Sequence, residues 1–202
     1  MTETFDSARI TSFDAIVLAG GRAARMGGLR KPDLVVRGQR LLDTALAAVR
    51  DARQVIVVGD VEVPDGVLRT REDPPFGGPV AGVDAGFAAL SEHSPWTLIL
   101  ASDLPGSVDA VARLLSASVP AEADGICLLD ADGRLQWLLG CYRTPALRRR
   151  LTERGDPPLT AMHRLLAPLE LVGIPAEGVD VTDVDTPEDL DRWNATDPRS
   201  TP

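Results

Sequence analysis

Short apolar runs rich in β-branched residues recur along this chain, and amphipathic segments fill the intervals between them. The runs are Ala15–Ala19, Val55–Val58, Trp96–Leu100, Gly125–Leu129, Leu135–Tyr142 and Leu169–Ile174. Several lack the alternation of a strand with one wet face, so they read as central strands covered on both sides. Between them, Leu41–Val49, Val80–Leu90, Val108–Leu115, Pro145–Leu151 and Leu159–Leu166 carry apolar residues at helical spacing. A last helix, Pro187–Trp193, has Thr186 as N-cap, Pro187 in the first helical position, and Glu188 and Asp189 in the first turn. Strands alternating with helices imply βαβ units and a mostly parallel sheet. The expectation is a single three-layer α/β/α domain of Rossmann-like type over residues 13–195. Flexible tails are expected at 1–12 and 196–202, and surface connections at Asp60–Arg71 and Pro175–Val181.

Charge narrows what such a domain can bind. The 202 residues carry a formal net charge of -9, which argues against broad binding to nucleic acid or anionic membranes. Positive charge nevertheless collects at Arg22, Arg25, Arg30, Lys31, Arg37 and Arg40, a local pattern that suits a small anionic ligand. No apolar run approaches the roughly 20 residues of a membrane span, and the polar, acidic first ten residues make no secretory signal. A cytoplasmic protein is expected. Cys127 and Cys141 lack metal-ligand spacing and read as buried thiols in a reducing compartment. His93 and His163 stand alone and read as surface or cap residues.

In open α/β sheets, ligands bind beyond the carboxyl ends of the strands. Three loops there carry chemistry. The first, "LAGGRAARMGGLRK" (residues 18–31), follows the first apolar run. Gly20 and Gly21 let the backbone turn sharply and bring its N–H groups close to a ligand, while Arg22, Arg25 and Lys31 supply charge suited to phosphate oxygens. Neither the P-loop pattern nor the dinucleotide G-x-G-x-x-G can be laid on it. The second, "REDPPFGGPVAGVDAGF" (residues 71–87), places Asp73 before two prolines, then opens a helix after Gly77-Gly78. The third, "TLILASDLPG" (residues 97–106), puts Asp103 at a strand's carboxyl end, where a carboxylate can reach a hard cation such as Mg²⁺. Late in the chain, "VTDVDTPEDL" (residues 181–190) offers Asp183 and Asp185. In an extended segment these two point to opposite sides, so only one is expected at a metal.

The first loop resembles the signature L-A-G-G-x-x-x-R-M-G-x-x-K of nucleotidyltransferases with a nucleotide-diphospho-sugar transferase-like fold. The nearest branch is the molybdenum cofactor guanylyltransferase (MobA) family. Weaker similarity runs from about Phe13 to Trp193. The resemblance implies that Leu18, Ala19, Gly20, Gly21, Arg25 and Lys31 wrap a triphosphate, with Arg22 as a supplementary cation. It further implies that Asp73 and the Gly77–Pro79 turn, Gly78 included, hold base and ribose. Asp103 then binds Mg²⁺ and contacts the nucleotide, and Asp185 is the second metal ligand. "QWLLGCYR" (residues 136–143) resembles a strand lying near the acceptor, with Trp137 where the family usually has Pro. Arg30 replaces an Asp that often precedes the Lys, and Asp183 and Asp185 replace the Asn residues of the guanylyl subgroup.

The activity implied is nucleotidyl transfer: GTP and a molybdopterin-type acceptor give the guanine dinucleotide cofactor and pyrophosphate, with Arg25, Lys31 and Asp103 catalytic. The protein is expected to act as a monomer or weak homo-oligomer. Two other readings stay open, a cytidylyl- or other nucleotidyltransferase for a different phosphorylated acceptor, and a non-catalytic nucleotide-binding or partner protein.

Overall fold

The computed structural model describes residues 7–20, 30–155 and 161–195. Its strands are β1 (Phe13–Leu18), β2 (Val55–Val58), β3 (Leu68–Thr70), β4 (Trp96–Ala101), β5 (Gly125–Leu129), β6 (Leu135–Arg143) and β7 (Leu171–Pro175). They form a seven-stranded sheet in the order β7-β5-β6-β4-β1-β2-β3. Neighbours pair in parallel except β6, which runs antiparallel to both β4 and β5. The reversal is local in origin. Asp130 accepts the backbone N–H groups of Asp132 and Arg134, Gly133 takes a positive φ of 75°, and the chain folds back as a hairpin.

Both sheet faces are dry, which is why the strands carry apolar residues at nearly every position. Ala15, Val17, Leu98 and Leu100 pack into one core, and Ile16 and Ile99 into the other. The helices are α1 (Leu41–Ala48), α2 (Pro79–Ala89), α3 (Ser107–Leu115), α4 (Thr144–Thr152), α5 (Met162–Leu166) and α6 (Pro187–Ala195). Core residues of α1 and α3 join the first cluster, and those of α2, α4 and α5 the second. Each fully buried aliphatic side chain contributes about 1.5–3 kcal/mol by leaving water. Helix α2 lies unusually close to the sheet because it presents glycine there. A Cβ on Gly86 would sit 2.6 Å from Ile16 Cγ2.

The α/β/α expectation and the positions of the helices and central strands hold to within a few residues. Two expectations need correcting. The N-terminal tail is not loose through Ser12: Ser7–Ala8 pairs antiparallel with Val119–Pro120, and Ile10 is buried. Within Asp60–Arg71, expected as a surface connection, Leu68–Thr70 forms the edge strand β3. It is too short, and too exposed on one side, to show a period. Residues 1–6, 159–160 and 196–202, also assigned from sequence, lie outside the described residues.

Cys127 and Cys141 are free and buried. They belong to different core clusters on opposite faces of the sheet, so they cannot reach one another. Burial pushes the Cys127 thiol up to about 12, in keeping with an inert core residue. His93 stacks on Phe87 with ring centroids 4.6 Å apart, and burial followed by Arg148 nearby lowers its pKa. No helix among the described residues is long and apolar enough to cross a membrane.

Candidate active site

The carboxyl ends of β1 and β4 lie side by side in the middle of the sheet, and the polar loops leave from there. At the end of β1, Ala19 donates its N–H to Val58 at 2.8 Å. Gly59 lets β2 approach this close, since a Cβ there would lie 2.5 Å from the Ala19 carbonyl oxygen. Gly20 follows and lines a cleft. Gly21, Arg22 and Arg25 lie outside the described residues. The chain returns through Arg30 into a short 3₁₀ turn, Lys31–Asp33, started by Pro32. Arg30 pairs with Asp33 at 3.4 Å on the surface.

That turn delivers Lys31 to Asp103. The Lys31 ammonium donates to Asp103 Oδ2 at 3.2 Å and to Asp185 Oδ1. Asp103 stands just beyond β4, held by the N–H of Ser102 donating to the Leu18 carbonyl at 3.0 Å. Two backbone contacts bring the late segment in beside it. The N–H of Val184 donates to the Asp103 carbonyl at 3.0 Å, and Gly106 allows the Asp180 carbonyl into space a side chain would fill. Downstream, Thr186 and Asp189 form a capping box. The Asp189 N–H donates to Thr186 Oγ1, and the Asp189 carboxylate accepts the N–H groups of Asp185 and Thr186. The Thr186 hydroxyl first, then these N–H groups, hold the Asp189 carboxyl below its usual range. The start of α6 therefore fixes the backbone that carries Asp185.

One sequence expectation fails here. Asp183 and Asp185 do not diverge: their carboxylate oxygens and one from Asp103 lie within 4.8 Å of one another. The segment is irregular rather than a strand, so the two-residue alternation of side chains does not apply to it. Three carboxylates then meet one ammonium. Burial and the charges of Asp185 and Asp103 raise the Asp183 pKa. Burial pulls the Lys31 pKa down, but its hydrogen bond to Asp185 and the charges of both carboxylates more than reverse this, so the net shift is upward. The excess negative charge, all on oxygen donors, suits a hard divalent cation.

A stability prediction follows from Asp183. A carboxyl whose folded pKa lies above 3.8 binds more protons folded than unfolded, so it lowers stability as pH rises through that window. At neutral pH, Asp183→Asn is expected to raise Tm in the absence of divalent cation and to shrink the further rise that Mg²⁺ gives. Differential scanning fluorimetry with and without Mg²⁺ checks both.

Two clefts meet at this cluster. One, of about 600 Å³, is lined by Leu18, Gly20, Lys31, Glu72, Phe76, Gly78 and Asp103 among others. The other, of about 1140 Å³, is lined by Asp103, Trp137, Met162, Asp180 and Asp183 among others. Both touch Pro79, Ala101, Asp103 and Leu138, so Asp103 stands at their junction. Trp137 is half-buried and does two things, packing on the core and facing the larger groove. Asp73 is exposed and lines neither cleft, whereas its neighbour Glu72 lines the smaller one. The sequence reading passed over Glu72, Phe76 and Gly59. Only the polarity of Glu72 hinted at a role.

Residues 15–172 match the MobA-like NTP transferase domain. The chain belongs to that family. It is 34% identical over 193 residues to the molybdenum cofactor guanylyltransferase of Rhodopseudomonas palustris (strain BisB5), covering 87% of this chain and 90% of the relative. To the molybdenum cofactor guanylyltransferase of Bradyrhizobium sp. (strain ORS 278) it is 32% identical over 152 residues, 67% of this chain and 68% of the relative. The molybdopterin-guanine dinucleotide biosynthesis protein A of Archaeoglobus fulgidus shares the fold, with a TM-score of 0.68 at 19% identity, over 90% of this chain and 97% of that one. This MobA-like chain is an enzyme of the nucleotidyltransferase type. Enzymes of this kind generally use a divalent metal ion, and the Asp103, Asp183 and Asp185 cluster has the donor chemistry for one.

Proposed function

We propose that this enzyme is a molybdenum cofactor guanylyltransferase, transferring GMP from GTP to the phosphate of a molybdopterin-type acceptor with Mg²⁺ as its metal. One observation carries the reading: Asp103 stands where two clefts meet, with Lys31 on it and two further carboxylates beside it. The smaller cleft takes the nucleotide and the larger groove takes the acceptor. An acceptor phosphate oxygen forms a bond to the α-phosphorus as the bond to pyrophosphate breaks. The acceptor phosphate is already ionised at neutral pH, so no general base is required. Catalysis rests on positioning and on stabilising charge.

The roles divide by position. Leu18, Ala19 and Gly20, at the end of β1, stand beside the triphosphate, and Gly21 is assigned to the same role from its place in the sequence. Lys31, with Arg25 and Arg22 from the same loop, offsets the charge that grows on departing pyrophosphate. Asp103 and Asp185 hold Mg²⁺, with Asp183 as a third available ligand. When bound, the ion polarises phosphoryl oxygens and neutralises their charge. Asp73 and the turn at Gly78 secure the base and ribose from the rim, and Trp137 offers a flat face to a pterin. These parts belong to a cytoplasmic biosynthetic enzyme.

Thermal stabilisation by GTP, CTP, ATP and UTP, each with and without Mg²⁺, tests the nucleotide half of this reading. Pyrophosphate release with molybdopterin tests the acceptor half. A Mg²⁺-dependent shift for GTP, lost in Lys31→Ala, is expected. Preference for CTP moves the enzyme to cytidylyl transfer. No shift with any nucleotide leaves a non-catalytic partner protein as the better reading.

A further inference from the structure

Among the cations gathered between residues 22 and 40, Arg37 lines neither cleft and turns instead to the last helix. Val35–Val36 pairs antiparallel with Gln39–Arg40, so Arg37 and Gly38 make the two-residue turn of a hairpin, with φ of 50° and 79°. A turn that is left-handed at both places suits Asn-Gly and strains an arginine. The side chain at this position therefore serves something other than the turn. Arg37 Nε donates to the Trp193 carbonyl at 2.9 Å, and its guanidinium carbon lies 5.1 Å from the centroid of the Trp193 ring. The Arg37 backbone N–H donates to Asn194 Oδ1 at 2.8 Å. Carbonyls in the last turn of a helix lack intrahelical partners and form its negative end, so a cationic donor there is favoured twice over. Trp193 is itself buried in a small core with Leu34, Val36, Leu41 and Val184.

The same two stretches of chain thus meet twice. Lys31 and Asp185, 154 positions apart, meet at the carboxylate cluster, and Arg37 and Trp193, 156 apart, meet at the far end of α6. We propose that Arg37 is a positioning residue for nucleotidyl transfer: by clamping the Val35–Arg40 hairpin to the end of α6, it sets Lys31 against Asp103 and Asp185. This rests on that cluster being the reacting centre. Lys31 and the hairpin are joined by the short 3₁₀ turn, closed by the Leu34 N–H donating to the Lys31 carbonyl at 3.1 Å, so a shift of the hairpin reaches Lys31 with little slack. Helix α6 is the matching arm. Arg37 holds its last turn, while the capping box at its first turn fixes the backbone of Asp185. The late segment has a second anchor on Asp103 through the Val184 N–H, so loss of the clamp falls on Lys31.

Arg37→Gly is the informative variant, because glycine accepts the positive φ, keeps the N–H for Asn194 and removes the guanidinium alone. kcat/KM for GTP would be measured by pyrophosphate release with Mg²⁺ and molybdopterin, well below Tm. The enzymes compared are the wild type, Arg37→Gly, Arg37→Lys, Lys31→Ala and the Arg37→Gly, Lys31→Ala double variant. Misplacing a reacting group by about 1 Å can cost about 100-fold, and a hairpin that keeps its other contacts should move less, so Arg37→Gly is expected to lose roughly tenfold. Arg37→Lys, which keeps a donor and a cation for the ring, should stay within about threefold of wild type. In the Lys31→Ala background, Arg37→Gly should cost less than about twofold further, since the group it positions is gone. A wild-type rate in Arg37→Gly, or a loss as large in the Lys31→Ala background as without it, overturns the positioning role. The loss in Lys31→Ala alone then leaves the site standing. A wild-type rate in Lys31→Ala, or a wild type without turnover, overturns the site and this assignment together.

Discussion

Asp103→Asn should lower guanylyl transfer about 100-fold or more, equivalent to ~2.7 kcal/mol of barrier, while the protein stays folded. The size follows from what Asp103 touches. It accepts from the Lys31 ammonium, shares a cluster with Asp183 and Asp185, and lines both clefts. An amide of the same shape keeps the packing but removes one negative charge from the carboxylate cluster and from the ion pair with Lys31. Folding should survive, because the carbonyl that accepts the Val184 N–H belongs to the backbone and is untouched. The measurement is pyrophosphate release at saturating Mg²⁺, with Tm beside it. Raising Mg²⁺ should recover part of the loss, since Asp183 and Asp185 still offer carboxylate oxygens there. Turnover within a few-fold of wild type would mean the metal sits elsewhere and the junction of the clefts is not the reacting centre.

Much of the fold could be read before its coordinates, for a physical reason. Strands buried on both faces have nearly continuous apolar sequences, so β1, β2 and β4 announce themselves, and the helices between them follow from spacing. The edge strand Leu68–Thr70 did not, because an exposed three-residue strand carries no periodic signal. The antiparallel course of β6 was likewise silent, being set by a tight turn at Asp130 and Gly133 rather than by the strand.

The site divides in the same way. Residues with distinctive chemistry at a strand end, such as Asp103, could be singled out from the chain alone. What could not be read was how distant segments meet. Asp183 joins the cluster only because residues before α6 abandon extended geometry, and Glu72 rather than Asp73 lines the cleft because of how one loop turns. Gly59 and Gly106 matter through the backbone atoms they admit, which no local pattern reveals.

Gly106 carries the second large effect. Its own backbone, with φ of -81° and ψ of 11°, is open to any residue, so alanine meets no conformational penalty there. Space decides instead. A Cβ would lie 2.2 Å from the Asp180 carbonyl oxygen and 3.3 Å from its carbon, both backbone atoms that cannot rotate aside. The 180–185 segment must retreat, which stretches the Val184 to Asp103 hydrogen bond and draws Asp183 and Asp185 away from Asp103. Gly106→Ala is expected to cost about 1–3 kcal/mol of stability, as overpacking usually does. It should also raise the Mg²⁺ concentration needed for half-maximal activity, measured well below Tm so that the fully folded enzyme is assayed. The two readouts separate two roles for this contact. A lower Tm with wild-type Mg²⁺ dependence would make Gly106 a packing residue alone. Loss of both would show that the close approach of these two backbones is what assembles the carboxylate cluster.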